Sequence, residues 1–399
     1  MSSKMLLLIS NDFSHPAFSK QQIEFSYRIN RLRPLAKAGY NIVVVSAGGK
    51  VGTNGRVSFS SLIPRITKDG DLTIISPPIL RIPMLWLFQS LLMTPLVALL
   101  YCFSTKTKPE AILAGTVVYG AVARVLNRFL RVPLIVDYGD PDYVRERSLS
   151  LSILRLLERL VFQRPGVSAV TYIDPNISDY LRRYRIARKT FLPPGGYWKD
   201  QPLVASDAYR MADESATIVY AGHVAPPPVY RLDLLVEAAR LLLQKSPKTR
   251  FLIVGTGEYL PTMVDTARRF GILQSFVFTG AVPYSHAKKL ITESDVAVQL
   301  LADMCMGTKV MDYFALGKPA LCTGSFYNSY HDFLKPMENC VLVPPDAKQI
   351  SDALQLLISN PGLRQRLGES ALKSVEDFDW ESQSVEILKL IDDCKTRST

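Results

Sequence analysis

The stretch MGTKVMDYFALGKPALCT, from Met306 to Thr323, contains a helix followed by a strand. Lys309 precedes Asp312 by three positions, so their side chains share one face of a helix. Gly317 ends that helix, and a β-forming run follows. A helix N-terminus with a Gly307–Thr308 lead-in, a lysine and a nearby carboxylate suits a diphosphate and a ribose together. The stretch therefore indicates an α/β domain with a site for a nucleotide sugar.

Short apolar runs alternate with longer amphipathic segments along the rest of the chain, which is typical of buried parallel strands joined by helices. A looped, polar stretch at 201–215 separates two sets of such runs. The predicted strands begin at Leu6, Asn41, Leu72, Ala111, Leu134 and Val167 in the first set, and at Ala216, Arg250, Ser275, Asp295, Pro319 and Cys340 in the second. We predict an α/β fold with two doubly wound, Rossmann-like domains facing a cleft.

The polar stretch that begins near residue 200 also indicates the domain boundaries. We predict an N-terminal β/α domain over residues 1–200 and a C-terminal domain over residues 201–378. Asp379 is a candidate N-cap for a last helix. We expect this segment, 379–399, to pack back on the N-terminal domain.

The formal net charge of +11 is carried by the first half of the chain, where residues 1–200 contain 27 Lys and Arg against 13 Asp and Glu. An anionic partner, either nucleic acid or anionic lipid, would explain this asymmetry, and so would charge scattered over a solvated surface. No interleaving of aromatic and basic residues supports nucleic acid, so we expect no nucleic-acid partner.

The segment MLWLFQSLLMTPLVALLYCF, Met84 to Phe103, carries no charge. Its length would allow a membrane span, but its polar residues, the central Pro95 and its place between two predicted strands argue against one. A core helix and an apolar helix on a membrane surface both remain possible, and the basic first half favours the membrane surface. Met5–Ser10 forms the first predicted strand, so we expect no secretory signal. We predict a cytoplasmic protein in peripheral contact with the inner face of an anionic membrane.

Cysteines and histidines show no metal-binding pattern. None of the five cysteines forms a CxxC pair, and the four histidines lack ligand spacing. We expect reduced thiols and no metal site.

Residues at predicted strand ends are candidates for the chemistry. Gly255 opens a GTG turn between a strand and a helix, where it either contacts phosphate or only makes the turn tight. His223 ends a strand and Arg231 begins a helix, so both are placed to reach an anion, although Arg231 also fits an ordinary helix surface. On the first domain, Asp140 and His15 are the candidate catalytic residues that act on an acceptor hydroxyl, with turn capping as the alternative for each.

From Ala216 to about Ile391 the chain resembles the GT-B glycosyltransferases of the large retaining family, group 1 or family 4-like. YAGH, FLIVGTGEY, TKVMDYFALGKPALCT and ENCVLVPPDAKQISDAL occur in the family's order and spacing. The resemblance implies an acceptor-side first domain and a donor-binding second domain. It also implies transfer of a hexose from a nucleotide-sugar donor to a lipid-linked or polysaccharide acceptor, with retention. No cofactor is implied, because the nucleotide sugar is a substrate, and no metal is implied.

Carried over by position, the resemblance places Lys309 on the donor diphosphate and Asp312 on the ribose hydroxyls. His223 falls near the donor phosphates, and Arg231 lies at or one position past the family's usual lysine. Val282 falls where backbone groups often meet the base.

One departure concerns the first of the family's two acids, which falls at Met304, beside Asp303. Its loss leaves the contacts of the donor sugar unassigned. Two alternatives therefore stay open, a GT-B-fold nucleotide-sugar epimerase and a catalytically degenerate GT-B subunit that only binds.

Overall fold

The computed structural model of the protein describes most of the chain, namely residues 4–10, 26–46, 64–78, 85–139, 149–163, 165–173, 175–193, 195–198, 216–228, 230–301, 308–324 and 333–396. The chain divides into two compact units. Unit 1 comprises Met1–Pro193 together with Trp380–Thr399, and unit 2 comprises Pro194–Asp379.

Unit 1 is built on an eight-stranded sheet in the order β3-β4-β2-β1-β5-β6-β7-β8. Its strands are β1 (Met5–Ser10), β2 (Asn41–Ser46), β3 (Arg65–Asp69), β4 (Leu72–Ser76), β5 (Ala111–Gly115), β6 (Leu134–Tyr138), β7 (Ala169–Tyr172) and β8 (Lys189–Phe191). All neighbours are parallel except β3 and β4. In the central strand Leu7 pairs with Val43 on one side and Ile112 on the other.

Helices cover both faces of this sheet, which is why its inner strands, such as β1, β2 and β5, are apolar and buried. The helices are α1 (Tyr27–Asn30), α2 (Arg33–Lys37), α3 (Leu85–Thr105), α4 (Val117–Leu130), α5 (Leu149–Phe162) and α6 (Pro175–Tyr180). Leu7 and Ile9 of β1 join the core under α3, α4 and α5. Leu6 and Leu8 point the other way, into the core under α2.

Unit 2 contains a six-stranded, fully parallel sheet in the order β11-β10-β9-β12-β13-β14. Its strands are β9 (Thr217–Ala221), β10 (Arg250–Val254), β11 (Phe276–Gly280), β12 (Val296–Gln299), β13 (Ala320–Thr323) and β14 (Cys340–Val343). Its helices are α7 (Leu232–Lys245), α8 (Leu260–Arg269), α9 (Tyr284–Thr292), α10 (Thr308–Ala315), α11 (Ala347–Ser359) and α12 (Pro361–Lys373). The strand order reverses between β9 and β12, so the carboxyl ends of these two strands form the switch point where doubly wound sheets bind ligands.

The last helix, α13 (Trp380–Lys395), belongs to unit 1. Arg31, at the end of α1, connects α1 to α13. The Arg31 guanidinium donates to Gln383 at 2.8 Å, and the hydroxyl of Ser384 donates to the Arg31 carbonyl at 2.5 Å. Ile387 and Leu390 of α13 are buried in the same core as β1. Helix α13 therefore completes the hydrophobic core of unit 1.

The predicted fold class is confirmed, since all twelve predicted strands occur and the sheets are doubly wound. Two strands were missed. β3 is a polar, exposed edge strand with the sequence RITKD, and β8 has only three residues. Neither has an apolar pattern strong enough to indicate a strand.

Within the described ranges, no helix is long and apolar enough to cross a membrane. The described cysteines are buried free thiols, namely Cys102, Cys322, Cys340 and Cys394.

Candidate donor site

Lys309 lies in the first turn of α10, at the switch point of unit 2. Its side chain is buried, with the ammonium 4.3 Å from the centre of the Tyr230 ring and 5.4 Å from that of Tyr220. Burial lowers the pKa of Lys309 to about 8, although the negative charge of Asp312 opposes the shift. The two rings favour the cationic form but carry no charge of their own. The site therefore holds a cation that an anionic ligand would stabilise.

Asp312 lies one turn further along α10 and is half-buried. Burial raises its pKa to about 6, while a hydrogen bond from Tyr284 and the charges of Lys288 and Lys309 act in the opposite direction. The Tyr284 hydroxyl donates to Oδ1 of Asp312 at 2.5 Å. Among the described residues Oδ2 accepts no hydrogen bond, so it remains available to a ligand hydroxyl.

Tyr284 and Lys288 were missed by sequence reasoning. Both lie on α9, and Lys288 is 4% exposed with its ammonium 5.2 Å from the centre of the Tyr284 ring. Burial lowers the pKa of Lys288, and Asp312 opposes that shift. The only sequence signal is a tyrosine and a lysine at i and i+4 in the helix that follows a strand end.

The turns after β9 and β10 pack backbone against backbone. The Gly222 amide donates to Val254 at 2.8 Å, and a Cβ on Gly255 would lie 2.0 Å from the carbonyl oxygen of Gly222. A Cβ on Gly257 would lie 2.2 Å from the carbonyl oxygen of Val224. Gly255 thus has a packing role that requires no ligand, and its contact with phosphate stays a prediction.

Replacing Gly222 with alanine is expected to weaken nucleotide binding at least tenfold, because the new Cβ would lie 2.0 Å from Cε of Lys309 and displace the ammonium. The φ angle of +146° adds strain of about 1–3 kcal/mol. Calorimetric titration with UDP, GDP and ADP measures the first effect and urea denaturation the second. Gly271→Ala is the matched control, since Gly271 also has a positive φ but faces open space. Equal nucleotide affinity in both variants would contradict the placement of Lys309.

His223 and Arg231 are engaged within unit 2. The His223 ring places Nδ1 3.1 Å from the Thr256 carbonyl oxygen and Nε2 3.1 Å from the Glu258 carboxylate. The Arg231 guanidinium donates twice to Asp233, at 3.0 and 2.8 Å. Contact of either residue with a donor phosphate stays a prediction, and for Arg231 it requires the guanidinium to leave or share Asp233.

The remaining predicted residues are placed as follows. Val282 is half-buried in the short connection between β11 and α9, and Thr308 is the first residue of α10. His15 and Asp140 lie outside the described residues, as does Met304, so their roles stay predictions.

Asp137, at the end of β6 in unit 1, is unsuited to act as a base. Burial would raise its pKa, but Arg28 at 2.7 Å and Arg31 at 3.6 Å hold the pKa below its ordinary value. Tyr27 and Thr171 also donate to this carboxylate, at 3.1 and 2.7 Å. Its charge is thus already neutralised.

In the part of the chain that the structure describes, no group of three or more His, Cys, Asp or Glu side chains is placed to hold a metal ion.

Residues 206–374 match the family model described as "Glycosyl transferases group 1", which covers the site in unit 2. This second half of the chain is similar to the group 1 glycosyltransferases. The chain is 22% identical to alpha-D-kanosaminyltransferase of Streptomyces kanamyceticus over 265 residues, 62% of this chain and 67% of that protein.

Comparison with solved structures shows the GT-B fold for the chain. Sucrose-phosphate synthase from Thermosynechococcus elongatus has a TM-score of 0.73 and 17% identity, with 99% of this chain and 100% of that chain covered. Anabaena HepE, solved in complex with UDP, has a TM-score of 0.67 and 13% identity, with 98% and 100% covered.

Proposed function

We propose that this protein is a glycosyltransferase that transfers a hexose from a nucleotide-sugar donor to a lipid-linked or polysaccharide acceptor. In this proposal the anomeric configuration is retained, no metal ion takes part, and the protein works in the cytoplasm in peripheral contact with the inner face of an anionic membrane. The observation that carries the proposal is the buried ammonium of Lys309, whose pKa is lowered to about 8 at the switch point of unit 2.

The leaving group explains why a buried lysine is useful here. Sugar transfer releases a nucleoside diphosphate, and the negative charge that develops on it must be neutralised. A cation in a low-dielectric site interacts with that charge more strongly than a solvated one, and it is already in position when the bond breaks. Lys309 has this environment, since only 8% of the residue is exposed.

Asp312 is assigned to the ribose. Its Oδ1 is fixed by Tyr284, so the carboxylate has a defined orientation. The Oδ2 atom then accepts a ribose hydroxyl, and a hydrogen bond to a charged group contributes about 1.5–3 kcal/mol. Tyr284 thereby acts as a positioning residue for a group that touches the donor.

Thermal stability in the presence of UDP, GDP, ADP, CMP and dTDP tests the donor assignment, because a ligand that binds only the folded state raises the melting temperature. The UDP complex of HepE makes UDP the first nucleotide to try. A set of nucleotide sugars that carry the base that binds, beginning with the glucose form, is then incubated without acceptor. We expect slow hydrolysis, in which water takes the sugar and the nucleoside diphosphate is released, and we expect none with a Lys309→Met variant. No release from any nucleotide sugar would support a degenerate binding subunit, and an epimerised sugar would support the epimerase.

The affinity for nucleoside diphosphate is expected to fall above pH 8, by up to tenfold per pH unit. An anionic ligand favours the ammonium form of Lys309, so above its free-state pKa of about 8 binding must take up a proton. Titration of UDP between pH 7 and 10 measures this. A Lys309→Arg variant is the control, because arginine stays charged and its affinity should be flat over the range. An equal pH dependence in both proteins would assign the proton to another group.

A further inference from the structure

Helix α3 exposes a stripe of large apolar side chains on the outer surface of unit 1. Leu92, Leu96, Leu100 and Phe103 are all exposed, Leu92 by 68% and Phe103 by 73%. Their spacing of four, four and three residues places them on one helix face. The opposite face, with Val97, Ala98 and Cys102, is buried in the core. A core role therefore accounts for only half of this helix.

The stripe continues onto the two neighbouring helices. Helix α4 packs against both α3 and α5. It exposes Val125 and Phe129, and α5 exposes Leu156 and Leu160, each pair at i and i+4. These three adjacent helices carry eight of the 14 exposed large apolar residues in the described part of the chain. An apolar surface collected in this way marks an interaction site.

The exposed charged residues of the layer formed by α3, α4 and α5 all have the same sign. Arg128 of α4 and Arg155 and Arg159 of α5 are exposed beside the apolar residues. Glu158 is the only acidic residue in the sequences of α3, α4 and α5, and it is buried. Its carboxylate accepts hydrogen bonds from two tyrosine hydroxyls, at 3.2 and 2.8 Å. The exposed charge of this layer is therefore entirely positive.

A cavity of about 330 Å³ opens at the end of this layer. Its lining consists of three arginines, one acid and two tyrosines, namely Arg155, Arg159, Arg183, Glu158, Tyr180 and Tyr184. The Arg183 guanidinium lies 3.8 Å from the centre of the Tyr180 ring, which holds it in place. In the described residues neither Arg155 nor Arg159 has an ion-pair partner. Three guanidinium groups face one carboxylate, that of Glu158, so the lining keeps a net positive charge that suits a phosphate group.

We infer that the outer surface of α3, α4 and α5 is a membrane-docking face, and that its arginine-lined cavity takes the headgroup of an anionic phospholipid. The exposed leucines and phenylalanines enter the boundary between headgroups and acyl chains, and the arginines contact lipid phosphates. An exclusively positive rim around an apolar face favours this occupant over a second copy of the chain, whose own rim would repel it. The inference rests on the membrane contact in the proposed function and specifies the surface that makes it.

Flotation with lipid vesicles tests the docking face. The protein is mixed with vesicles of phosphatidylcholine, with and without 30% phosphatidylglycerol, and we expect flotation with the anionic vesicles that weakens with added salt. Arg155→Gln with Arg159→Gln should weaken partitioning about 25-fold, since one basic residue near an anionic surface is worth roughly fivefold. Leu92→Gln, Leu100→Gln and Phe103→Gln together should weaken it at least as much.

Matched controls come from unit 2. Arg269→Gln with Arg366→Gln removes two arginines there, and Leu356→Gln with Leu372→Gln removes exposed apolar residues. These variants should float like the wild type. Every variant should keep wild-type affinity for UDP or whichever nucleotide binds, which shows that it is folded and separates this test from that of the donor site.

Three outcomes would overturn the inference. The first is that the wild type fails to float with anionic vesicles, and the second is that the docking-face variants float as well as the wild type. The third is that the triple apolar substitution converts a dimer into a monomer in sedimentation while flotation is unchanged. The last result would assign the face to a second copy of the chain.

Discussion

Lys309→Met is expected to weaken binding of nucleoside diphosphate by about 100-fold or more. Methionine keeps an apolar stem against the Tyr230 ring and removes only the ammonium. Loss of one partner of a buried charge pair costs about 2–5 kcal/mol, and 2.7 kcal/mol corresponds to 100-fold in affinity. Calorimetric titration with the nucleotide that stabilises the wild type measures the change.

The control for this variant is Lys318→Met. Lys318 follows the same helix and is half-buried, but its ammonium donates to the Ser294 carbonyl at 2.8 Å and takes no part in the donor site. Its removal should cost stability and leave the nucleotide affinity unchanged. If Lys309→Met binds as tightly as the wild type, the donor site lies elsewhere.

Asp137→Asn is expected to lower the free energy of unfolding by about 3–5 kcal/mol, because it leaves Arg28 and Arg31 with an uncompensated buried charge. Arg31 is 2% exposed and cannot reach solvent without opening the contact between α1 and α13. Urea denaturation followed by circular dichroism measures the loss.

The pH dependence of this loss has a defined sign. The pKa of Asp137 is lower in the folded protein, so its contribution is fully present above the unfolded pKa of about 3.9 and is lost as the pH falls through the folded pKa. The gap between wild type and variant should therefore narrow below about pH 4. Asp69→Asn is the control, since Asp69 pairs with Arg33 at 2.8 Å in a more exposed position and should cost at most about 1 kcal/mol. Equal losses in the two variants would contradict a buried Asp137 network.

Local patterns account for what the sequence could predict. The strands and the helix with Lys309 and Asp312 follow from short-range periodicity, because burial on both faces of a parallel sheet leaves apolar runs. Gly317 could be recognised as the helix end because glycine is the usual residue there, and in the structure its φ is +62°.

Residues brought together by tertiary structure could not be predicted in the same way. Tyr284 reaches Asp312 only because α9 and α10 meet beside the same sheet, 28 positions apart in the chain. Arg28 and Arg31 reach Asp137 from α1 and its C-cap, and this four-residue helix is too short for a periodic signal. Helix α3 is apolar on nearly every side, so its sequence alone could not separate the core face from the exposed one.

The return of the chain to unit 1 has a consequence for the order in which the protein is made. Arg31 and Gln383, which join α1 to α13, are 352 positions apart, and the whole of unit 2 is translated between them. At about 5–20 residues per second, the core face that α13 covers waits on the order of 10–40 s for its last helix after the rest of unit 1 has been made. Unit 1 is therefore begun first and finished last on the ribosome, and in that interval its uncovered leucines are available to chaperones.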